Sequence, residues 1–422
     1  MQDIFVRVAR AQLSANSVNG SNWLSAHIDQ GVRLMNYSYH LRLAAVARGD
    51  SNETKGLIFG PPEHDTCHEP NYYYHNNAWF WRGMFEAGKF LRDVCSTFCP
   101  IYTPLGEIFL NEAQAFRADL DASLALTTTF NTDGTPFFIP PIAMKNYAPF
   151  HTMIESTVAM YSNFRYYSEL LGADALSNNM SIALQEFRET HTGTVSGITR
   201  WSDHLDDMPS SYYLAASLRD NRIPRFLLLQ YGHMANYMGR GTGTATEQLP
   251  INGDANGLSR DYLWGYLEGG IDECVPSIML TAIATRWQLV LERYDEDVLY
   301  LAAGAPRRWF ALSDGGFAIV DASTRFGSVG LKVANTLGPA GVGEIASATV
   351  DFAPWTVMPG VNATPAFSLR LRGSTPGLIL QPNSVTVQGG GKLAYVDQLT
   401  ERIWISLTGI GNATFLVEAT FK

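Results

Sequence analysis

The feature that most constrains this chain is a change of period near residue 305. Before it, apolar residues recur at helical spacing; after it, they alternate. The helical pattern covers Ile4 to Leu13, Leu24 to Val46, Trp79 to Val94, Ile108 to Leu126, His151 to Leu171 and Ala173 to Phe187. It continues over Tyr212 to Leu218, Pro224 to Met238, Tyr262 to Leu267 and Ile278 to Tyr294. Short and long connections alternate, and the long ones (50–76, 127–148, 191–210 and 239–260) hold most of the Gly and Pro of this part. That alternation suits a ring of helical hairpins whose long loops gather on one rim. After 305 the text predicts strands at Phe317–Val320, Ser328–Val333, Ala366–Leu371, Ser384–Val387, Arg402–Leu407 and Thr414–Phe421, punctuated by turn residues. The expected fold is therefore mainly α then β: a helical-hairpin domain over 1–304 and an antiparallel β-sandwich over 305–422.

Charge follows the same division. Residues 1–304 carry 33 acidic and 21 basic side chains, and residues 305–422 carry 7 and 9. An acidic domain repels phosphate backbones, which argues against nucleic acid as a partner. No apolar run reaches the length of a membrane span. The first residues, MQDIFVRVARAQ, lack a signal-peptide pattern and read as the middle of a helical hairpin, which implies an upstream segment. Six Asn-x-Ser/Thr sequons, at Asn19, Asn36, Asn52, Asn179, Asn362 and Asn412, hint at secretion. The four cysteines (Cys67, Cys95, Cys99, Cys274) do not form a disulfide framework. Cys95 and Cys99 could share a helix face, but a metal site there would need two further ligands. No metal and no cofactor is expected, and the oligomeric state is not legible.

Three segments collect the residue types of a binding site. Residues 63–83, EHDTCHEPNYYYHNNAWFWRG, hold three acidic residues, three His, three Asn, three Tyr and two Trp. Flat rings stack on sugar faces and fixed polar groups bind hydroxyls. Tyr73, His75, Asn77, Trp79, Trp81 and Arg82 are the candidate sugar contacts. Residues 197–213, GITRWSDHLDDMPSSYY, set Asp203, Asp206 and Asp207 beside Trp201, His204 and Tyr212. A structural alternative is a helix start capped by Asp206 or Asp207. Residues 230–250 carry Tyr231 and His233 into a Gly-rich loop that ends at Glu247. That loop lacks the spacing of a phosphate loop.

Two carboxylates across a glycosidic bond are the minimal machinery for glycoside hydrolysis: one protonates the leaving oxygen, the other activates water or attacks carbon. Asp206 with Glu247 is the candidate pair, with Asp203 and Asp207 as neighbours. Glu268, Asp272 and Glu273, then Glu63, Asp65 and Glu69, are reserves. Trp264 completes the set of stacking rings.

The segment HNNAWFWRGMFEAGKFL resembles an inner helix of the six-hairpin, (α/α)6-barrel glycosidases. SDHLDDMP at 202–209 is similar in spacing to the E-S-G-x-D-x-S-P type of motif in the trehalase-like and processing-glucosidase-like members, and Asp206 falls on their catalytic Asp, the general acid. Ser202, Asp203 and His204 stand where that motif has Glu, Ser and Gly. The stretch 299–320 also resembles the junction where such barrels pass into a C-terminal β-domain. The resemblance implies a barrel followed by a β-sandwich, with inverting hydrolysis of an oligo- or polysaccharide.

Two other expectations compete. A polysaccharide lyase would use Tyr72–Tyr74, His75, Asn76 and Asn77, with Tyr231 and His233, on a uronate-containing glycan. A non-catalytic carbohydrate-binding protein would bind sugar without turnover.

Overall fold

The computed structural model describes the chain except residues 1, 16, 63–68, 148–164, 192, 202–203, 207–209, 237, 239–242, 244, 246–247, 251–273, 294–295, 355–364 and 410. It is helical first and β afterwards, and it divides into two compact units. Unit 1 comprises Met1–Gln12 and Val18–Ile283; unit 2 comprises Leu13–Ser17 and Ala284–Lys422.

The described helices of the first part are α1 (Gln2–Ala15), α2 (Ser17–Arg48), α3 (Tyr74–Lys89), the short α4 (Cys95–Phe98) and α5 (Thr103–Thr127). They continue with α6 (Tyr167–Gly172), α7 (Asn178–Thr190), α8 (Ser210–Arg219), α9 (Ile223–Asn236) and α10 (Val275–Leu289). Between α3 and α4 the chain makes a wider π turn over Phe90–Val94. α3 and α5 pack closely because Gly88 and Gly106 face each other: a Cβ on Gly106 would lie 2.5 Å from Arg92 N and 2.9 Å from Gly88 O. Cys95 and Cys99 are bonded to each other. Cys99 leaves the helix after Phe98, and the two Cα atoms lie 4.3 Å apart, at the short end of the range that a disulfide spans. The expectation that these two share a helix face is corrected: the helix ends at Phe98, and both sulfurs are taken up in the disulfide.

The long connections of unit 1 are not bare loops. A hairpin of β1 (Thr129–Phe130) and β2 (Pro136–Phe138) occupies 127–148. The connections 191–210 and 239–260 share a four-stranded sheet in the order β3 (Thr194–Val195), β4 (Ile198–Trp201), β5 (His204–Asp206) and β6 (Gln248–Pro250). Ser196 and Gly197, at φ 53° and 83°, make the two-residue turn between β3 and β4, a turn that requires positive φ at both positions. A Cβ at Gly197 would also sit 2.8 Å from Leu229 N, so α9 closes over this turn only because glycine occupies it. Ile198, Leu205 and Ala245 form the small apolar cluster at this sheet. Asp206, read as a possible helix cap, instead lies on β5 opposite Gln248, and Trp201 pairs with His204; Asp207 lies outside the described residues.

In unit 2, two five-stranded sheets share one apolar core. One runs β13 (Thr386–Gly389), β16 (Ala413–Phe421), β11 (Glu344–Pro354), β10 (Gly327–Leu337), β9 (Phe317–Ser323). The other runs β14 (Gly391–Asp397), β15 (Arg402–Leu407), β12 (Ala366–Arg370), β8 (Val298–Leu301), β7 (Val290–Glu292). Every pairing is antiparallel except β8 with β12. Phe367 of the second sheet meets Phe352 and Phe415 of the first edge-on, with centroids 5.5 and 5.3 Å apart. The sheet begins before residue 305, since the stretch read as a helix to Tyr294 ends its helix at Leu289 and turns into β7. Strand β11 escaped the sequence reading because its inward positions include Ala346 and Ala348, too small to mark an alternation.

Candidate functional site

Helix α3 has two buried faces of different chemistry. Tyr74, Ala78, Trp81 and Phe85 recur at helical spacing along one of them. Tyr74 Oη lies 2.7 Å from Ser123 Oγ and 2.6 Å from Thr127 Oγ1 on α5, and burial pushes this phenol up to about 12. The Arg117 guanidinium, also on α5, lies 4.9 Å from the Trp81 ring. Trp81 therefore belongs to the α3–α5 contact.

The other face carries His75, Trp79, Arg82 and Glu86, again at i, i+4, i+7, i+11. Three of them are buried: His75 at 1%, Arg82 at 4% and Glu86 at 1% exposure. The His75 ring stacks on Tyr166 at 4.2 Å and meets Tyr73 edge-on at 5.4 Å. Its Nε2 lies 3.8 Å from Glu169, whose carboxylate also takes an ion pair from Arg165 at 2.9 Å. Burial, helped by the charge of Arg165, pushes the imidazole down to about 3. At neutral pH the ring is uncharged, so its approach to Glu169 is not an ion pair. Neither ring nitrogen has a hydrogen-bond partner among the described residues, an unusual state for a buried imidazole.

Further along this face, Arg82 donates from Nη1 to Gly172 O at 2.6 Å and lies over Trp79 at 5.5 Å. Trp79 meets Tyr212 of α8 at 5.7 Å. Burial, then Glu169, raises the Tyr212 phenol above its ordinary value. Glu86 pairs with Arg10 of α1 at 3.4 Å. One face of α3 thus threads a polar seam through unit 1, touching α1, α6 and α8 and the residues just before α6.

Several candidate contacts take structural posts. Asn77 is wholly buried; its Oδ1 accepts from Ile58 N at 2.8 Å, and its Nδ2 donates to Ile58 O and Tyr73 O. It is a latch between α3 and the 58–61 segment rather than a sugar contact. Tyr73 is 2% exposed and donates to Glu69 O. It is a packed ring, not an open platform. His233 is buried while Tyr231, two residues away, is 72% exposed, so they face opposite sides of α9.

Trp201, His204 and Asp206 lie on β4 and β5, where only the backbone is described. Asp203, Asp207, Glu247, Trp264, Glu268, Asp272 and Glu273, with Glu63 and Asp65, lie outside the described residues. The strand register still relates the two proposed carboxylates: Asp206 is the Cα partner of Gln248, the chain neighbour of Glu247. Sequence reasoning missed Glu169, Arg165, Tyr166 and Arg10. The signal for an inner polar seam was present in the i, i+4, i+7, i+11 spacing of His75, Trp79, Arg82 and Glu86.

Among the described residues, no group of three or more His, Cys, Asp or Glu could hold a metal ion, and no helix is long and apolar enough to cross a membrane. No family model matches the chain, and no curated protein matches it. Among solved structures, it is similar to a Streptomyces avermitilis alpha-L-rhamnosidase complexed with L-rhamnose, at 9% identity and a TM-score of 0.41. The match covers 92% of this chain and 30% of that one, so the chain spans less than a third of that enzyme's length. At that score the likeness assigns neither a family nor an activity.

Proposed function

We propose that the chain is a glycoside hydrolase whose acid and base are Asp206 and Glu247, set on a helical-hairpin toroid of the (α/α)6 type. The observation that carries this reading is the pairing of β5 with β6. Residues 206 and 247 come from two connections more than thirty positions apart in sequence, yet Asp206 stands opposite Gln248. Paired antiparallel Cα atoms lie about 4.5–5.5 Å apart, so the backbones of the two connections run side by side at this point. In this reading Asp206 protonates the leaving oxygen and Glu247 deprotonates water on the opposite face, with inversion. Asp203 and Asp207 help keep Asp206 protonated by like-charge proximity. Trp201 and Trp264 supply flat faces, and His204 binds hydroxyls. The seam on α3 acts as a rigid wall behind them. The substrate class is an oligo- or polysaccharide.

The test is hydrolysis of a panel of plant and algal glycans, read as new reducing ends. If Asp206→Asn and Glu247→Gln both hydrolyse as fast as the unaltered protein, the assignment fails.

A polysaccharide lyase is the second reading, favoured by the Tyr, His and Arg residues gathered around the α3 seam. A general base works best with a pKa near the working pH. The His75 imidazole is held at about 3 and the Tyr74 phenol at about 12, while burial also raises Tyr72. Asn77, the proposed neutraliser of a uronate carboxyl, spends its amide on backbone. Ultraviolet-absorbing unsaturated ends in the same panel would select the lyase, and binding with no product of either kind would select a non-catalytic binding protein.

A further inference from the structure

The outer face of the sheet β14–β15–β12–β8–β7 carries more than a supporting domain needs. Strand alternation turns Phe367, Leu369, Ile403 and Ile405 into the core. It leaves Tyr395, Trp404, Ser368 and Tyr300 as one cross-strand row on the other face. Tyr395 stacks on Trp404 with centroids 5.4 Å apart and planes 13° apart, and Trp404 meets Tyr300 edge-on at 5.9 Å. Tyr395 is 53% exposed, so the row ends in an open aromatic face. Within the row, Trp404 Nε1 and Ser368 Oγ are both buried without a hydrogen-bond partner among the described residues, at directly paired positions. Ser368 itself is 1% exposed. Buried polar atoms are normally bonded, and two orphans side by side mark a place built to meet something else.

Charge points to what that is. Arg402, two residues before Trp404 on the same strand face, lies 5.1 Å from the Tyr300 ring. Arg307 and Arg372 share the single carboxylate of Glu401, at 2.6 and 2.9 Å. Burial, then the charges of Arg402 and Arg372, hold the Arg370 pKa well below its ordinary value. The remaining charges that face Arg402 are Asp397, Arg293 and Glu296. Around Arg370 and Arg402, among the described residues, five guanidiniums counting these two therefore stand against three carboxylates, one of which pairs with Arg293 at 2.8 Å. Crowded, partly buried positive charge is relieved by an anion, and a guanidinium fork matches a carboxylate. An open ring beside it matches the apolar face of a sugar.

We propose that this face binds an acidic sugar unit of the uronate type, with the sugar ring on Tyr395 and its carboxylate on Arg402. The inference is independent of the hydrolytic reading, since every residue it uses lies in unit 2.

The test titrates the full chain with oligogalacturonate at low salt, by calorimetry and by tryptophan fluorescence. A neutral glucan oligomer of equal length and inorganic sulfate serve as comparison probes. Oligogalacturonate is expected to bind at least tenfold more tightly than either, and its affinity should fall as salt rises. Tyr395→Ala and Arg402→Gln should each weaken it about tenfold. Tyr395→Ala replaces an exposed ring and should keep the melting temperature unchanged, so it carries the test if Arg402→Gln misfolds. Equal binding of sulfate reduces the face to a general anion site, and equal binding of glucan removes the role of charge. Either result overturns the proposal, as does an unaltered affinity in a folded Tyr395→Ala or no binding at all. Asp206→Asn should bind oligogalacturonate like the unaltered protein, so loss of hydrolysis and loss of this site are separable.

Discussion

The core of the β-sandwich and the inner face of α3 are equally closed to water, yet they are built on opposite rules. Between the sheets, buried side chains such as Phe367, Leu369, Ile403 and Val417 are apolar and interlock. Along α3, His75, Arg82 and Glu86 are buried with polar atoms that need partners, and both His75 nitrogens have none among the described residues. An apolar core repays its burial by removing surface from water. A polar seam costs desolvation that only hydrogen bonds or a ligand can repay. The difference teaches where each unit is vulnerable. Unit 2 should lose stability when its interior is cut, and unit 1 should lose function at groups that contribute little to its stability.

The sharpest test of that contrast is a change that removes activity and leaves the fold alone. Asp206→Asn and Glu247→Gln are each expected to lower kcat by about 10³- to 10⁴-fold, roughly 4–5 kcal/mol of barrier, with an unchanged melting curve. Phe367→Ala should do the reverse. It empties a fully buried position between two aromatic neighbours and should destabilise the chain by about 3–5 kcal/mol in denaturant titration. Activity measured below the new melting temperature should persist. Asn77→Ala should cost about 2 kcal/mol, because it strands the buried Ile58 amide. If it instead abolished sugar binding in a fully stable protein, Asn77 would belong with the ligand contacts after all.

The effect that is smallest per unit change is that of pH. His75 is held at about 3 when folded against an ordinary 6.5. Below 6.5 the unfolded chain takes up a proton that the folded ring refuses. Its contribution to stability is therefore intact above 6.5 and drains away as pH falls toward 3, by roughly 1 kcal/mol per pH unit. His75→Gln should flatten the stability profile over that window. An unchanged slope would mean that the ring protonates in the folded state, and the seam would then be more open to water than its burial indicates.

Much of the architecture was legible in the order of residues. The periods of α2, α3 and α5 and the alternation of β10 and β15 are written in side chains of strong contrast. Strand β11 was not, since alternating Ala and Ser or Thr has almost no amphipathic signal. Strands β7 and β8 were also lost, because a short, continuously apolar strand cannot be told from a buried helix by its pattern. For the candidate site, the residue types of 63–83 were informative and their directions were not. Asn77 and Tyr73 look like ligand contacts on paper. They became a latch and a packed ring because the 58–61 segment and Tyr166 lie against them.

Sequence alone determined that this is a helical chain followed by strands, acidic in its first part and slightly basic in its last, with site-type residues in three connections. These properties are local: periodicity, composition and charge need no knowledge of neighbours. Tertiary structure decided which of those residues share a place. It paired Asp206 with the residue after Glu247, joined Cys95 to Cys99, separated His233 from Tyr231, and set Arg402 beside an aromatic row. Such contacts depend on strand register and helix packing, which are set by all the neighbours at once.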